Sequence, residues 1–210
     1  IKNPKKRRRV VTFLIVFTLT IGILGVIAFG SFIMYIKSVA EPRFKPSALN
    51  AKELTILYDK DDKEFAKLGV EKREKVTYEE LPEVLIDAII ATEDSRFFQH
   101  NGFDAARFLK ASIGQVSGNS NAGGASTISM QVIKNSFTST QASGFKGIVR
   151  KFTDIYLAVF KLEKTFSKQE IIEHYVNVHY MGAGAYGVEQ AAKTYFGKSA
   201  RELNLSEAAL

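Results

Sequence analysis

The stretch Ala91-Thr92-Glu93-Asp94-Ser95-Arg96-Phe97-Phe98-Gln99-His100-Asn101-Gly102 decides how this chain is read. It follows an apolar run, Val84, Leu85, Ile86, Ile89 and Ile90, whose spacing predicts a helix with a broad apolar face ending at Glu93. Pro82 suits the first turn of that helix. A Glu-Asp pair at such a helix end puts two carboxyl groups where the helix meets a cleft. Apolar neighbours raise a carboxyl's pKa, and a Glu so placed becomes a usable general base or acid. His100 lies just beyond, close enough to orient Glu93 or to contact a ligand. Taken alone, the pair also reads as a solvated helix end, so the rest of the chain has to decide.

Working outward to the N-terminus, 210 residues suit one membrane anchor and one domain of ordinary size, and 46% hydrophobic content allows a core. The formal charge of +7 is a property of the tail: six of the 29 Lys and Arg lie in residues 2–9, leaving 23 basic against 22 acidic residues beyond it. That near balance argues against a nucleic-acid partner. Val10 to Ile36 is 27 residues without a charge. At about 1.5 Å per residue it exceeds a hydrocarbon core of roughly 30 Å. Basic residues before it and none within it predict a cytoplasmic N-terminus. Ser38-Val39-Ala40 looks like a signal-peptidase site, but the apolar core is far longer than that of cleavable signals, so an uncleaved signal anchor is expected. With no cysteine, disulfides and thiolate metal sites are excluded. A chain starting at Ile and stopping at Leu210 within an apolar helical stretch reads as a fragment of something longer.

Toward the C-terminus, residues 37–54 read as a polar connector and 55–210 as the domain. Thr55–Asp59 and Glu64–Gly69 form a small hairpin around an acidic turn. Asp104 is a candidate N-cap for a helix from Ala105 to about Val116. Ser117 to Gly124 is a Gly/Asn/Ser loop, after which Ser126 caps a helix through Gln131 to Lys134. A second loop, Thr138 to Gly144, precedes a long helix from about Gly147 to Lys164, with Phe152, Ile155, Val159 and Leu162 as its buried face. Ser167 with Glu170, and Ser199 with Glu202, are capping boxes. The sum is a mainly α domain with one short β-hairpin, preceded by a single transmembrane helix.

Several constellations bear on chemistry. Gly182-x-Gly184-x-x-Gly187 matches a dinucleotide fingerprint, but a helix precedes it and no βαβ unit surrounds it, so it reads as a helix-breaking loop where backbones approach. His100, His174 and His179 form no His-x-x-x-His pair, which disfavours zinc; His174 and His179 read as packing or solvent-facing. Gly124 feeding the Ser126-Thr127 helix start reads as an anion seat of free N–H groups and hydroxyls, with Gln131 and Lys134 sharing a face beyond it. Arg150 and Asp154, four apart, can pair.

Five motifs then occur together and in order: Glu93-Asp94-x-x-Phe97-x-x-His100-x-Gly102; Gly124-x-Ser126-Thr127-Ile128-x-x-Gln131-x-x-Lys134-Asn135; Arg150-Lys151 with its downstream acid; Ser167-Lys168-x-Glu170-Ile171-x-x-x-Tyr175-x-Asn177-x-x-Tyr180-x-Gly182; and Leu203-x-Leu205-x-Glu207-Ala208-Ala209. From about residue 55 to 210 this order resembles the peptidoglycan glycosyltransferases, glycosyltransferase family 51, found in class A penicillin-binding proteins and monofunctional transglycosylases.

The resemblance implies a lysozyme-like helical domain with a small membrane-associated jaw, about residues 114–147 here, where Phe137, Phe145 and Ile148 would dip into the lipid interface. It implies a protein of the bacterial cell membrane, catalytic domain outside, that transfers a polyprenyl-diphosphate-linked glycan to the GlcNAc 4-hydroxyl of lipid II with inversion. Its partners would be lipid II, the nascent strand and proteins of a cell-wall synthesis complex. By matching position Glu93 is the general base and Asp154 the second catalytic acid. Asp94, Phe97, His100, Ser126, Thr127, Gln131, Lys134, Asn135, Arg150, Lys151, Asn177 and Tyr180 would hold substrate. No cofactor is required; a Mg²⁺ on the pyrophosphate would assist, but no acidic cluster demands one. Two departures stand out: Asp154 replaces the family's usual Glu, and Met130 the first Gln of a Gln-Gln pair. A glycan-cleaving lysozyme-like enzyme and a non-catalytic wall scaffold are the competing readings.

Overall fold

The computed structural model describes residues 4–49, 55–61, 63–68, 72–118, 124–138 and 142–210. A 37-residue helix, α1 (Pro4–Ala40), leads the chain and is long and apolar enough to cross a membrane. Its flanks from Val10 to Phe29 are exposed, whereas Ile36 and Ala40 at its foot are buried. Two 3₁₀ turns, Glu41–Arg43 and Pro46–Leu49, carry the chain on, and the second buries Leu49. The described part of the connector is therefore packed rather than purely polar.

The expected hairpin forms, β1 (Thr55–Tyr58) pairing antiparallel with β2 (Glu64–Leu68). Asp59 closes its turn, its carboxylate accepting from the N–H groups of Asp61 and Lys63 at 2.8 and 2.9 Å. A second small sheet was not legible: β3 (Lys72–Arg73) runs parallel to β4 (Ala185–Tyr186), two residues each. Segments that short carry no alternation to read.

The rest is helical. The elements are α2 (Glu83–Glu93), α3 (Ala105–Val116), α4 (Ile128–Phe137), α5 (Gly144–Leu157), α6 (Glu163–Thr165), α7 (Lys168–Val178), α8 (Val188–Phe196) and α9 (Leu205–Ala208). Pro82 caps α2 from outside instead of opening its first turn, its carbonyl accepting from Leu85 and Ile86. Thr127, not Ser126, caps α4; its hydroxyl accepts from Met130 N–H at 3.2 Å. The long helix begins three residues early and is interrupted by a π turn, Ala158–Leu162, which shifts its buried face. Thr153, Leu157, Ala158 and Leu162 are buried, while Phe152, Ile155 and Val159 are only half-buried.

The core forms around α4, whose Ile128, Met130, Val132 and Ile133 are buried against α5 and α7. Burying such side chains contributes about 1.5–3 kcal/mol each. Phe97, fully buried, plugs the same core below Glu93. The Gly182–Gly187 loop behaves as a close approach: at Gly187 (φ 83°) an added Cβ would lie 3.1 Å from the carbonyl oxygens of Val176 and Asn177. Residues 119–123 and 139–141, within both expected loops, lie outside the described residues.

Candidate active site

The end of α2 turns its last carboxylate into a groove and its neighbour into the protein. Glu93 is half-buried, and its Oε2 accepts from the Gln131 side-chain amide at 2.6 Å. Asp94 is fully buried. Its Oδ2 accepts from Ile128 N–H, the first N–H of α4, at 3.1 Å. The same carboxylate meets His100 Nε2 at 3.0 Å and the Arg107 guanidinium at 3.7 Å. So His100 orients Asp94, not Glu93, because the helix end rotates Asp94 toward the ring. A buried carboxylate with these partners ties α2, α3 and α4 together.

Arg107 was not singled out by sequence. It bonds the Glu93 carbonyl, the Gly124 carbonyl (2.8 Å) and Asp94. One arginine thus fixes the backbone of the candidate base to the loop entering α4. Nothing distinguishes Arg107 from an ordinary helix-surface arginine until α3 is placed beside α2.

The expected anion seat is built differently. Ile128 N–H is taken by Asp94 and Met130 N–H by Thr127, whose own hydroxyl donates to the Gly102 carbonyl at 2.7 Å. Buried Thr127 therefore has no spare contact for a substrate. What gathers instead are side-chain cations. Lys134 is exposed on α4, and Arg150 and Lys151 lie half-buried on α5. Lys151 donates to Ser126 Oγ at 2.8 Å. Burial lowers the Lys151 pKa, Asp154 opposes this, and Arg150 and Lys134 add to it. Asp154 is buried, accepts from Thr138 Oγ1 at 2.5 Å, and is pushed up to about 6 by burial, against the pull of Thr138, Arg150, Lys151 and Lys134. Three cations around one reluctant carboxylate make a positively charged patch able to take an anion.

Other expected residues separate. Phe97 is core, capped by Lys168 Nζ 4.2 Å over its ring. Asn177 is committed to backbone: its amide oxygen accepts from Val76 N–H at 3.0 Å, and its amide nitrogen donates to the Val76 and Glu173 carbonyls at 2.8 Å. Both expectations of substrate contact are corrected by burial. Tyr180 is exposed and stacks on Tyr186 at 4.9 Å. Asn135, exposed, reaches His179 Nδ1 at 3.4 Å. Asp94, His100 and Asp104 bring ligand atoms within 4.8 Å, but Arg96 and Arg107 already neutralise these acids, which leaves a poor fit for a cation.

Glu93 opens onto a cavity of about 650 Å³ between α2, α7 and α8, whose wall includes Tyr175 and His179. By sequence His179 reads as packing or solvent-facing. In the structure α4 reaches both Glu93 and His179, Gln131 bonding the first and Asn135 meeting the second, and Lys134 stands on the same helix between Gln131 and Asn135 in sequence.

A model of the family described as Transglycosylase matches residues 61–210. Penicillin-binding protein 1A of Vibrio cholerae is 38% identical over 202 residues, covering 94% of this chain and 23% of that protein. Its namesake from Streptococcus oralis is 36% identical, covering 99% and 32%. Penicillin-binding protein 1A/1B of Bacillus subtilis is 39% identical, covering 93% and 21%. The chain thus spans a third or less of these relatives' lengths. With the motif order, the helical fold and this match over most of its length, the chain belongs to the transglycosylase family, glycosyltransferase family 51.

Proposed function

We propose that this protein polymerises lipid II into glycan strands. The observation carrying the reading is that α4 bonds Glu93 through Gln131 and carries Lys134 one turn further on, with Arg150 and Lys151 acting on Asp154 together with Lys134. The acceptor 4-hydroxyl is a poor nucleophile and needs a base as it attacks the donor's anomeric carbon. Gln131 occupies Glu93 Oε2, which leaves Oε1 to take the proton. The bond from the anomeric carbon to the diphosphate breaks with inversion. Its electrons leave on an oxyanion that Lys134, Arg150 and Lys151 are placed to stabilise, so no general acid is needed. Asp154, buried and bonded to Thr138, enters as the counter-charge on which these three cations act. A Mg²⁺ on the diphosphate would meet only this carboxylate in the patch and would compete with three cations, so no step is assigned to it.

The lysozyme-like arrangement extends to the membrane. α1 would cross it with the basic tail in the cytoplasm and the domain outside. The segment of about residues 114–147 would form the jaw, with exposed Phe145 and Ile148 meeting lipid; Leu109 and Ile113 of α3 are exposed as well. Phe137 leaves this set, since it packs on Phe44 at 5.4 Å. Lipid II, the nascent strand and wall-synthesis proteins would be the partners.

A glycan-cleaving reading has one favourable observation, a carboxyl near pKa 6 at Asp154. Its burial among cations suits a diphosphate better than a neutral glycosidic oxygen. Incubating the detergent-solubilised protein with lipid II, and separately with purified glycan strands, decides between them. Polymer from the first and intact strands from the second are expected; cut strands without polymer would refute the proposal.

A further inference from the structure

His179 is held more precisely than a packing residue requires. It follows the last turn of α7, its N–H donating to the Tyr175 carbonyl at 3.2 Å and its carbonyl accepting from Gly187 N–H at 2.8 Å. Its ring lies against the Tyr175 ring, centroids 5.0 Å apart and tilted 37°. The backbone and one ring face are therefore fixed. Nδ1 faces the Asn135 amide nitrogen at 3.4 Å. An amide N–H at Nδ1 makes that nitrogen the acceptor and leaves the ring proton on Nε2. Among the described residues Nε2 has no hydrogen-bond partner, and the ring forms part of the wall of the cavity that Glu93 also lines.

Charges from each packed element act on the ring. Burial lowers the imidazole pKa, Glu93 of α2 raises it, and Lys134 of α4 lowers it again; Tyr175 of α7 lies beside it as a neutral phenol whose own pKa burial raises. A neutral imidazole suits this position. An imidazolium beside Glu93 would hold the carboxylate ionised and weaken it as a base, whereas a neutral ring donates without that penalty.

We propose that His179 binds the acceptor saccharide: its Nε2–H donates to a sugar oxygen and so holds the attacking hydroxyl against Glu93. This rests on the polymerase reading and adds a specificity-determining residue to it. A donor that the bound sugar shields from water and leaves unpaired costs affinity, so the contact would discriminate between acceptors as well as hold one.

Two variants and one spectrum test it. His179→Phe keeps a ring on Tyr175 and removes the N–H. His179→Gln keeps an N–H near the Nε2 position. With lipid II as substrate, His179→Phe is expected to raise the acceptor KM about tenfold, and His179→Gln to restore it to within about threefold, both melting near the unmodified protein. Independently of turnover, adding soluble N-acetylglucosaminyl-N-acetylmuramic acid disaccharide to ¹⁵N-histidine-labelled protein should shift the His179 Nε2 resonance. A protein that polymerises while His179→Phe keeps its KM would overturn this inference and leave the polymerase standing. A disaccharide-dependent shift without polymerisation would sustain the contact and overturn the polymerase.

Discussion

At the scale of single residues, Asp154 gives the sharpest physical signature. Its carboxyl sits near 6, above the ordinary 3.8, because burial outweighs Thr138 and three cations. The sign follows directly. The folded state holds this proton more tightly than the unfolded chain, so the stabilisation is full below about pH 4 and is lost as pH rises to about 6. A shift of about two units corresponds to about 3 kcal/mol. Replacing Asp154 with Asn removes the titration while keeping an oxygen to accept from Thr138. Chemical denaturation of both proteins from pH 4 to 7 is expected to show the unmodified protein losing about 2–3 kcal/mol relative to Asp154→Asn. Parallel curves would mean that Asp154 is ionised throughout. Length alone makes Asp154 look like a short-reaching substitute for Glu; only Thr138, 16 residues before it, shows that its carboxylate faces inward.

At the scale of elements, the groove is a junction of helix ends. α2 ends at Glu93, α4 begins at Ile128 under Asp94, and α7 ends beside His179, each end fixed by a side chain from another element. Asn177 belongs to that fixing: two of its three hydrogen bonds fasten Val76 to α7, and the third closes on Glu173 within the helix. Asn177→Ala strands buried Val76 groups and is expected to cost about 2–3 kcal/mol, with the KM for lipid II unchanged in the protein that remains folded. Thermal unfolding alongside initial rates checks it, and a raised KM at unchanged stability would return Asn177 to the substrate. Helices, caps and the hairpin were legible because their signals are local: Asp104 before Ala105, Ser167 with Glu170, Asp59 at the turn. Glu93 and Gln131 were legible as neighbours through motif order, and the structure joins them by a hydrogen bond. Arg107, His179 and the β3–β4 pairing were not, since each acquires its meaning from a partner far along the chain. Thr127 and Phe97 misled for a related reason: a residue type suited to ligand contact serves equally well as a cap or a core plug.

At the scale of the whole molecule, the long apolar helix α1 and the cation patch share a support. α5 carries Arg150, Lys151 and Asp154, and its Phe152 ring meets Phe32 of α1 edge-on at 5.2 Å. Glu41 below accepts from the Tyr156 hydroxyl at 3.1 Å and lies 3.5 Å from Lys161. The foot of α1 is thus part of the domain. Ile36→Ala, at a site only 1% exposed, is expected to cost about 2–4 kcal/mol in thermal unfolding of the detergent-solubilised protein, while Ile23→Ala, at 61% exposed, changes nothing. Equal effects would mean the helix is a tether alone. The proposed chemistry depends on one proton acceptor, Glu93. The most direct measurement is the initial rate of lipid II polymerisation by the full chain and its Glu93→Gln variant, with melting temperatures recorded in parallel. The expected rate for Glu93→Gln is lower by about 10²–10⁴-fold at a melting temperature within about 2 °C. A Glu93→Gln protein that polymerises at the unmodified rate would contradict it.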